Sequence, residues 1–332
     1  MINDWGCGII LETCFDAASE SKDTTCLALL SCQKNMNVVN KLETLIFVCL
    51  PPQTKTIKDM SGCNHDCEHC SQSNCEKKDL REKPNSKSDI KKVIGVVSGK
   101  GGVGKSSVTS LLAVQLRKKG YRVGILDADI TGPSIPKMFN LHTVISGCED
   151  GVFPAETESG IYVISANLLT NDEKTPVIWR GPLIAGMVKQ FWTEVIWDKI
   201  DFLLVDMPPG TGDVPLTVFQ SMAVDGIIMV TSPQDLVSLI VSKAVNMAGM
   251  MDIPVLGLVE NYSYIQCPHC NEKISVFGES HAAEVAQEFN LKLLAQMPID
   301  PELAKLADKG EIEKADVNYL DNVVDMLESL EA

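Results

Sequence analysis

The sequence predicts an α/β protein: a mostly parallel, doubly wound sheet built around a glycine-rich loop, with a small Cys-rich module ahead of it. Three observations carry that reading. From residue 93 onward, apolar runs of strand length alternate with longer helical stretches. Several runs are apolar almost throughout (Phe202-Leu203-Leu204-Val205, Gly226-Ile227-Ile228-Met229-Val230), which suits strands covered on both faces by helices. The first run, Val93-Ile94-Gly95-Val96-Val97, passes through GKGGVGKSS (99–107) into a helical stretch. Strand, glycine-rich loop and helix in that order are the setting in which backbone N–H groups cradle phosphates.

In chain order, strands are expected at 93–98, 122–127, 161–165, 202–206, 226–231, 254–260 and 293–297. Helices are expected at 105–119, 182–196, 213–222, 235–249, 279–289 and 314–330. Together these make one domain over 93–332, with no internal repeat. Residues 77–92 are rich in charge, Ser, Asn and Pro, and read as a linker. Residues 60–76 hold Cys63, Cys67, Cys70 and Cys75 and form the Cys-rich module. Residues 1–59 carry five scattered cysteines and no periodicity. They read as an extension that is disordered or not part of the native protein, because Met60 opens MSGCNHDCEHC as a natural start would.

At 332 residues and 45% apolar, the chain can build a sizeable core. Its net charge of −15 opposes nucleic-acid binding, which needs a basic face, and docking on anionic lipid. No apolar run is long enough to span a bilayer, so no membrane partner is expected and the location expected is cytoplasmic. Twelve cysteines, several of them clustered, read in a reducing compartment as metal ligands or redox groups.

The loop is the centre of the expected nucleotide site. Gly99, Lys100, Gly101, Gly102, Val103, Gly104, Lys105, Ser106 and Ser107 would surround the phosphates of ATP, helped by the positive end of the following helix. Lys105 would reach the β- and γ-phosphates, and the Ser106 hydroxyl would ligate Mg²⁺. Asp127 and Asp129 end the second strand, where side chains enter the ligand crevice. Asp127 would support the Mg²⁺ shell and Asp129 would orient the attacking water; as a pair before Gly132-Pro133-Ser134 they also suit helix capping. Asp201–Asp206 reads as a hydrophobic strand whose last aspartate, Asp206, holds Mg²⁺. The Pro/Gly-rich stretch from Met207 to Asp213 is a switch candidate. Thr231-Ser232-Pro233-Gln234 and Glu260-Asn261 end two further strands, and Asn261 can hydrogen-bond adenine.

Cys267-Pro268-His269-Cys270 offers two thiolates, half of what a zinc or a cluster needs. A symmetric dimer that shares one site between subunits is the economical completion. A 4Fe–4S cluster and a zinc both fit, and a redox pair is the third option. Cys63-x3-Cys67-x2-Cys70-x4-Cys75 has four thiols of its own, with His65 and His69 as substitutes. It suits a second cluster, a zinc or an unmetallated tail. Cys148 reads as a small buried residue or a surface thiol.

KGGVGKS resembles the deviant Walker A of the ParA/MinD/nitrogenase-iron-protein class, so the fold expected is the P-loop NTPase type. That resemblance implies that Lys100 reaches a partner subunit's nucleotide. GKGGVGKSS, LDADITGPSIP, WRGP, VDMPPGTGD, TSPQDL, VENYSYIQCPHC and MPIDPEL follow one another across 93–304. Together they resemble the Mrp/ApbC family of P-loop iron–sulfur carrier ATPases, related to the eukaryotic cytosolic iron–sulfur scaffold ATPases. The resemblance implies a homodimeric ATPase with Lys100 as its signature lysine; Lys100, Lys105 and Asp129 are the expected catalytic residues, and turnover is expected to be slow, as suits a switch. The resemblance also implies a labile 4Fe–4S cluster bridged by Cys267 and Cys270 and passed to apo iron–sulfur proteins. The N-terminal cysteines are more tightly spaced than the extra cluster motif of the eukaryotic scaffolds, and 1–59 has no counterpart. The rival reading is a ParA/MinD-like partitioning or positioning ATPase with a structural zinc at the C-x-x-C site. It leaves Cys-Pro-His-Cys unexplained, and the chain's acidic end is unlike the basic amphipathic helix of MinD-like proteins. A nitrogenase-reductase-like electron donor would take one cysteine from each of two loops. A zinc-stabilised binding module without catalysis would not need Asp127, Asp129 and Asp206.

Overall fold

Strand β1 (Asp89–Val97) begins four residues before its apolar run and runs up the middle of the sheet. Asp89 to Lys92 alternate between exposed and half-buried, and Val93 to Val97 are buried. The polar start reads as linker by composition, yet its backbone pairs in register, Asp89 with Lys199 and Lys92 with Phe202. Ladder bonds are made by the main chain and do not require apolar side chains. Residues just upstream are also bound to the domain: Glu82 N–H donates to Ser221 O (2.8 Å), and Trp192 Nε1 donates to Glu82 O (2.8 Å). The computed structural model describes residues 81–331 apart from 131, 133, 143–144, 170–180 and 234–236. The extension 1–59, the module with Cys63, Cys67, Cys70 and Cys75, and Gln234 lie outside the described residues.

Helix α1 (Lys105–Lys118) follows the loop, then β2 (Val123–Asp127) and the short α2 (Ile135–Met138). A small hairpin of β3 (Gly147–Cys148) and β4 (Gly151–Val152) precedes β5 (Ala155–Glu156) and β6 (Tyr162–Ile164). Next come α3 (Gly181–Thr193), β7 (Lys199–Asp206), α4 (Asp213–Ser221), β8 (Gly226–Thr231) and α5 (Val237–Met250). The chain continues through β9 (Val255–Gln266), β10 (Lys273–Ile274), α6 (Ala282–Glu288) and β11 (Leu293–Pro298). It closes with α7 (Pro301–Asp308) and α8 (Asp321–Glu331).

The sheet runs β10-β9-β8-β1-β7-β2-β6-β5, with β11 also paired to β9. Pairs among β11, β9, β8, β1, β7, β2 and β6 are parallel, and β5 and β10 add antiparallel edges. The expected mostly parallel sheet is therefore present. Its central strands are buried at every position from Phe202 to Asp206 and from Gly226 to Thr231, as all-apolar runs covered on both faces require.

Helix α7 is absent from the expected elements, although its start carries a signal: Asp300 Oδ1 accepts from Glu302 N (2.9 Å) and Leu303 N (3.2 Å), with Pro301 in the first turn. At the C-terminus, Leu320, Val323, Val324 and Leu327 are all at most 1% exposed. The apolar stripe of α8 is thus spent on the domain itself. Among the described residues no helix is long and apolar enough to cross a membrane.

Candidate functional site

The glycine-rich loop leaves β1 at its C-terminal end, between the ends of β7 and β8. Gly102 (φ 79°) and Gly104 (φ 75°) take left-handed conformations that a Cβ disfavours. Gly104 is also the N-cap of α1 and brings no capping side chain, and the first turn has no acidic residue. The free N–H groups of that turn and the positive end of the helix are left for an anion. Residues 101–104 with Lys105, Ser106, Ser107, Asp129 and Pro209 line a cleft of about 220 Å³. Gly99 starts the loop where a Cβ would run into the Ile240 side chain of α5. Partial burial holds the Lys100 ammonium below the usual lysine range.

Under the cleft lies a buried cluster. Lys105 is 6% exposed and its Nζ lies 2.7 Å from Asp206 Oδ1. Ser106 Oγ donates to Asp206 Oδ2 (2.6 Å), and Thr109 Oγ1 donates to Asp206 Oδ1 (2.8 Å). Asp127 sits beside Asp206 in register on β2 and accepts from Ser165 Oγ (3.0 Å) and the Asp129 N–H (3.1 Å). Burial, and then the Asp206 carboxylate, push the Asp127 carboxyl well above the usual carboxylate range. Ser106, Asp206 and Asp127 make an all-oxygen donor set of the hard kind that suits Mg²⁺. Thr109 and Ser165 are partners that motif reading missed. Thr109 follows Lys105 by one helical turn on the same face, and that spacing was the available signal.

The far wall is β9. Asn261, expected to read adenine, is 3% exposed; its Nδ2 donates to Val103 O (3.0 Å) and its Oδ1 accepts from the Tyr262 N–H (2.9 Å). In this structure the Asn261 amide braces the loop. Tyr262 was not anticipated at all. It has φ 59° inside a strand, a conformation that costs about 1–3 kcal/mol outside glycine. Behind it Glu260 is wholly buried; its Oε2 accepts from Ser280 Oγ (2.7 Å), Gln296 Nε2 (2.9 Å) and Ser263 Oγ.

Beyond Tyr264, β9 leaves the core and pairs with β10. Cys267-Pro268-His269-Cys270 is the turn of that hairpin, closed by Cys267 N–H to Glu272 O (2.9 Å) and Asn271 N–H to Cys267 O (2.9 Å). The N–H groups of Cys270 and then His269, with the Cys270 thiol, favour the Cys267 thiolate and hold it below the usual thiol range. Cys267 is half-exposed and Cys270 exposed. No group of three or more His, Cys, Asp or Glu side chains suited to a metal occurs among the described residues. Ile265, Ile274, Val276 and Phe277 are 37–51% exposed around the hairpin. Cys148, on the β3–β4 hairpin, is exposed and stands apart from both sites.

The chain is similar to several known proteins. A chain of Clostridium perfringens named an iron–sulfur cluster carrier protein is 47% identical over 234 residues, 68% of this chain and 82% of that one. A protein of the same name from Methanocaldococcus jannaschii is 43% identical, covering 76% of this chain and 90% of its own. A Dictyostelium discoideum homologue of the cytosolic Fe–S cluster assembly factor NUBP2 is also 43% identical, over 67% and 86%. Among solved structures, a nucleotide-binding protein of Archaeoglobus fulgidus in complex with ADP superposes with a TM-score of 0.63 and 44% identity, covering 69% of this chain and 90% of that one. A chain of an Aquifex aeolicus MinC:MinD cell division protein complex shares the fold at TM-score 0.51 and 18% identity, over 72% and 95%. The family model described as NUBPL iron-transfer P-loop NTPase, of the ParA type, matches residues 89–330, and the chain belongs to that family.

Proposed function

We propose that this chain is an ATP-hydrolysing iron–sulfur cluster carrier, in which two copies hold one labile 4Fe–4S cluster and pass it to apo iron–sulfur proteins. The observation that carries the reading is the joining of two half-built features on one strand: a phosphate loop braced by Asn261, and a two-thiol turn that directly follows β9. Two thiols hold half a cluster, and a second copy supplies the other two. The apolar side chains around the hairpin suit burial between copies.

ATP enters the cleft with its phosphates on the loop N–H groups and the N-terminus of α1. Lys105 then exchanges Asp206 for the β- and γ-phosphates. Ser106, Asp206 and Asp127 would hold Mg²⁺, which neutralises phosphate charge when bound. Asp129, on the cleft wall, orients the attacking water, whose oxygen bonds to the γ-phosphorus as the bond to the leaving ADP oxygen breaks. Lys100 of the partner subunit stabilises charge on the transferred group. Slow hydrolysis suits a switch between a closed, cluster-holding dimer and an open one. The relatives named as cluster carriers and the cytosolic assembly factor support a cytoplasmic carrier. The partitioning reading with a structural zinc is less favoured, because the apolar stripe of α8 is committed to the domain.

Iron, zinc and acid-labile sulfide content on anaerobically reconstituted protein tests the proposal. About two irons and two sulfides per chain, lost in Cys267→Ala/Cys270→Ala, are expected for one shared cluster. Iron retained by that variant assigns a second site to Cys63, Cys67, Cys70 and Cys75. Zinc without sulfide after reconstitution sinks the carrier reading.

A further inference from the structure

The bend in β9 links the two sites in a way that neither site requires for its own chemistry. Among the described residues six non-glycine positions have positive φ, and five are Asn or Asp. The sixth is Tyr262, an aromatic residue inside a strand, where such a conformation is a genuine outlier. The register explains how it arises: Gln296 pairs with Glu260 and Pro298 with Tyr264, so β9 spends four residues where β11 spends two. The extra residues form a bulge, which re-aims side chains and bends its strand.

The bulge is held on both sides. Toward the nucleotide loop, Asn261 bonds Val103 O, and a Cβ on Gly104 would lie 2.6 Å from the Tyr262 hydroxyl and 3.0 Å from Cζ. The Tyr262 ring therefore rests on the last glycine before α1. On the other side, Glu260 gathers Ser263, Ser280 and Gln296 into a buried clip. Ser280 comes after the cysteine hairpin in the chain, so the clip ties both ends of the hairpin to the bulge. Tyr264 adds a third tie, with Lys273 Nζ 4.3 Å from its ring centre. From Tyr262 to Cys267 is five residues, about 17 Å of extended chain.

We propose that Tyr262 is a positioning residue that couples the phosphate loop to the cysteine turn. Recruiting Lys105 and Ser106 away from Asp206 shifts the start of α1, and with it Gly104. The ring follows Gly104, the bulge changes its bend, and the hairpin beyond it changes its presentation of Cys267 and Cys270. Coupling of this kind is reciprocal, so the state of the cysteines alters nucleotide affinity by the same factor. The inference rests on the reading that the loop binds nucleotide, and it does not require that the cysteines hold a cluster.

The test uses the full-length chain without cluster. Alkylation rates of Cys267 and Cys270 are followed by peptide mass spectrometry, with and without ADP or a non-hydrolysable ATP analogue plus Mg²⁺. Each variant is measured at saturating nucleotide. The unaltered chain is expected to change rate about fivefold or more on nucleotide binding. Tyr262→Asn tolerates the left-handed backbone but lacks the ring, and Tyr262→Gly removes both strain and ring. Both are expected to bind nucleotide and to show a rate ratio near one, and Tyr262→Phe is expected to keep most of the response. A thermal melt of each variant checks that it is folded. An unaltered chain whose alkylation ignores bound nucleotide overturns the proposal, as does a full response in folded Tyr262→Asn. Iron and sulfide content, measured separately, judges the carrier reading: a chain that never takes a cluster but loses its alkylation response with Tyr262→Asn keeps this inference and discards the other.

Discussion

Gly104→Ala and Gly102→Ala together measure the contact between the phosphate loop and β9. Both glycines are left-handed, at φ 75° and 79°, and a Cβ in that region costs about 1–2 kcal/mol. At Gly102 the added Cβ meets nothing within 4 Å, so that is the whole effect. At Gly104 it lands on the Asn261 amide, 2.6 Å from the Tyr262 hydroxyl and 3.0 Å from Cζ. Overpacking of this kind adds about 1–3 kcal/mol. Gly104→Ala should therefore lose about 2–5 kcal/mol against about 1–2 for Gly102→Ala. Each kcal/mol lowers Tm by about 2–4 °C in a domain of this size. Thermal unfolding by circular dichroism, without nucleotide, reads the difference. Adding Tyr262→Gly to Gly104→Ala should restore part of the loss, since the two positions share a contact. Equal losses at the two glycines, or no recovery in the double variant, would refute the claim that Tyr262 rests on the loop.

Lys105→Ala leaves the buried Asp206 carboxylate without its cation and should destabilise the nucleotide-free protein by about 3–5 kcal/mol, read by urea unfolding; a neutral effect would mean that the pair is not formed in solution. Lys100→Ala should lower the rate of phosphate release from ATP by about 10²–10³-fold with ADP affinity little changed, and an unchanged rate would remove Lys100 from catalysis. Burial, together with the hydrogen bond to Asp300, pushes the Tyr319 phenol up to about 12. A folded value above the unfolded one, near 10, stabilises the fold below pH about 10 and is lost as pH rises through the folded value. The stability of Tyr319→Phe should therefore fall less steeply over that range in parallel unfolding curves.

The parts of the site made by local chain were legible in the sequence. The loop, Lys105, Ser106 and the strand-end aspartates Asp127 and Asp206 are each announced by a few adjacent residues, and the sheet brings the aspartates into neighbouring register. Asp89 to Lys92 were misread because a strand's backbone pairing leaves little trace in composition. Ser165 was missed because its partner, Asp127, is fixed by the pairing of β2 with β6, a long-range fact. Tyr262 lay beyond sequence reasoning for a further reason. A bulge is a mismatch of lengths between two strands, here β9 and β11, and neither strand alone encodes it. The glycine and Asn signals that usually mark positive φ are absent where an aromatic residue is forced into it.

The hairpin has a different kind of significance as an appendage. Residues 268–279 are exposed throughout, and the domain's core closes without them. The thiols thus stand on an overhang that joins the sheet only at its edge, through the pairing of β10 with β9, and is fastened at Tyr264 and Ser280. Such a segment is an exchangeable tool head. Replacing it between those two anchors would change what the protein grips and leave the phosphate-loop domain and its fold in place. One P-loop NTPase scaffold could in this way be fitted to many cargoes by altering a stretch about as long as helix α1.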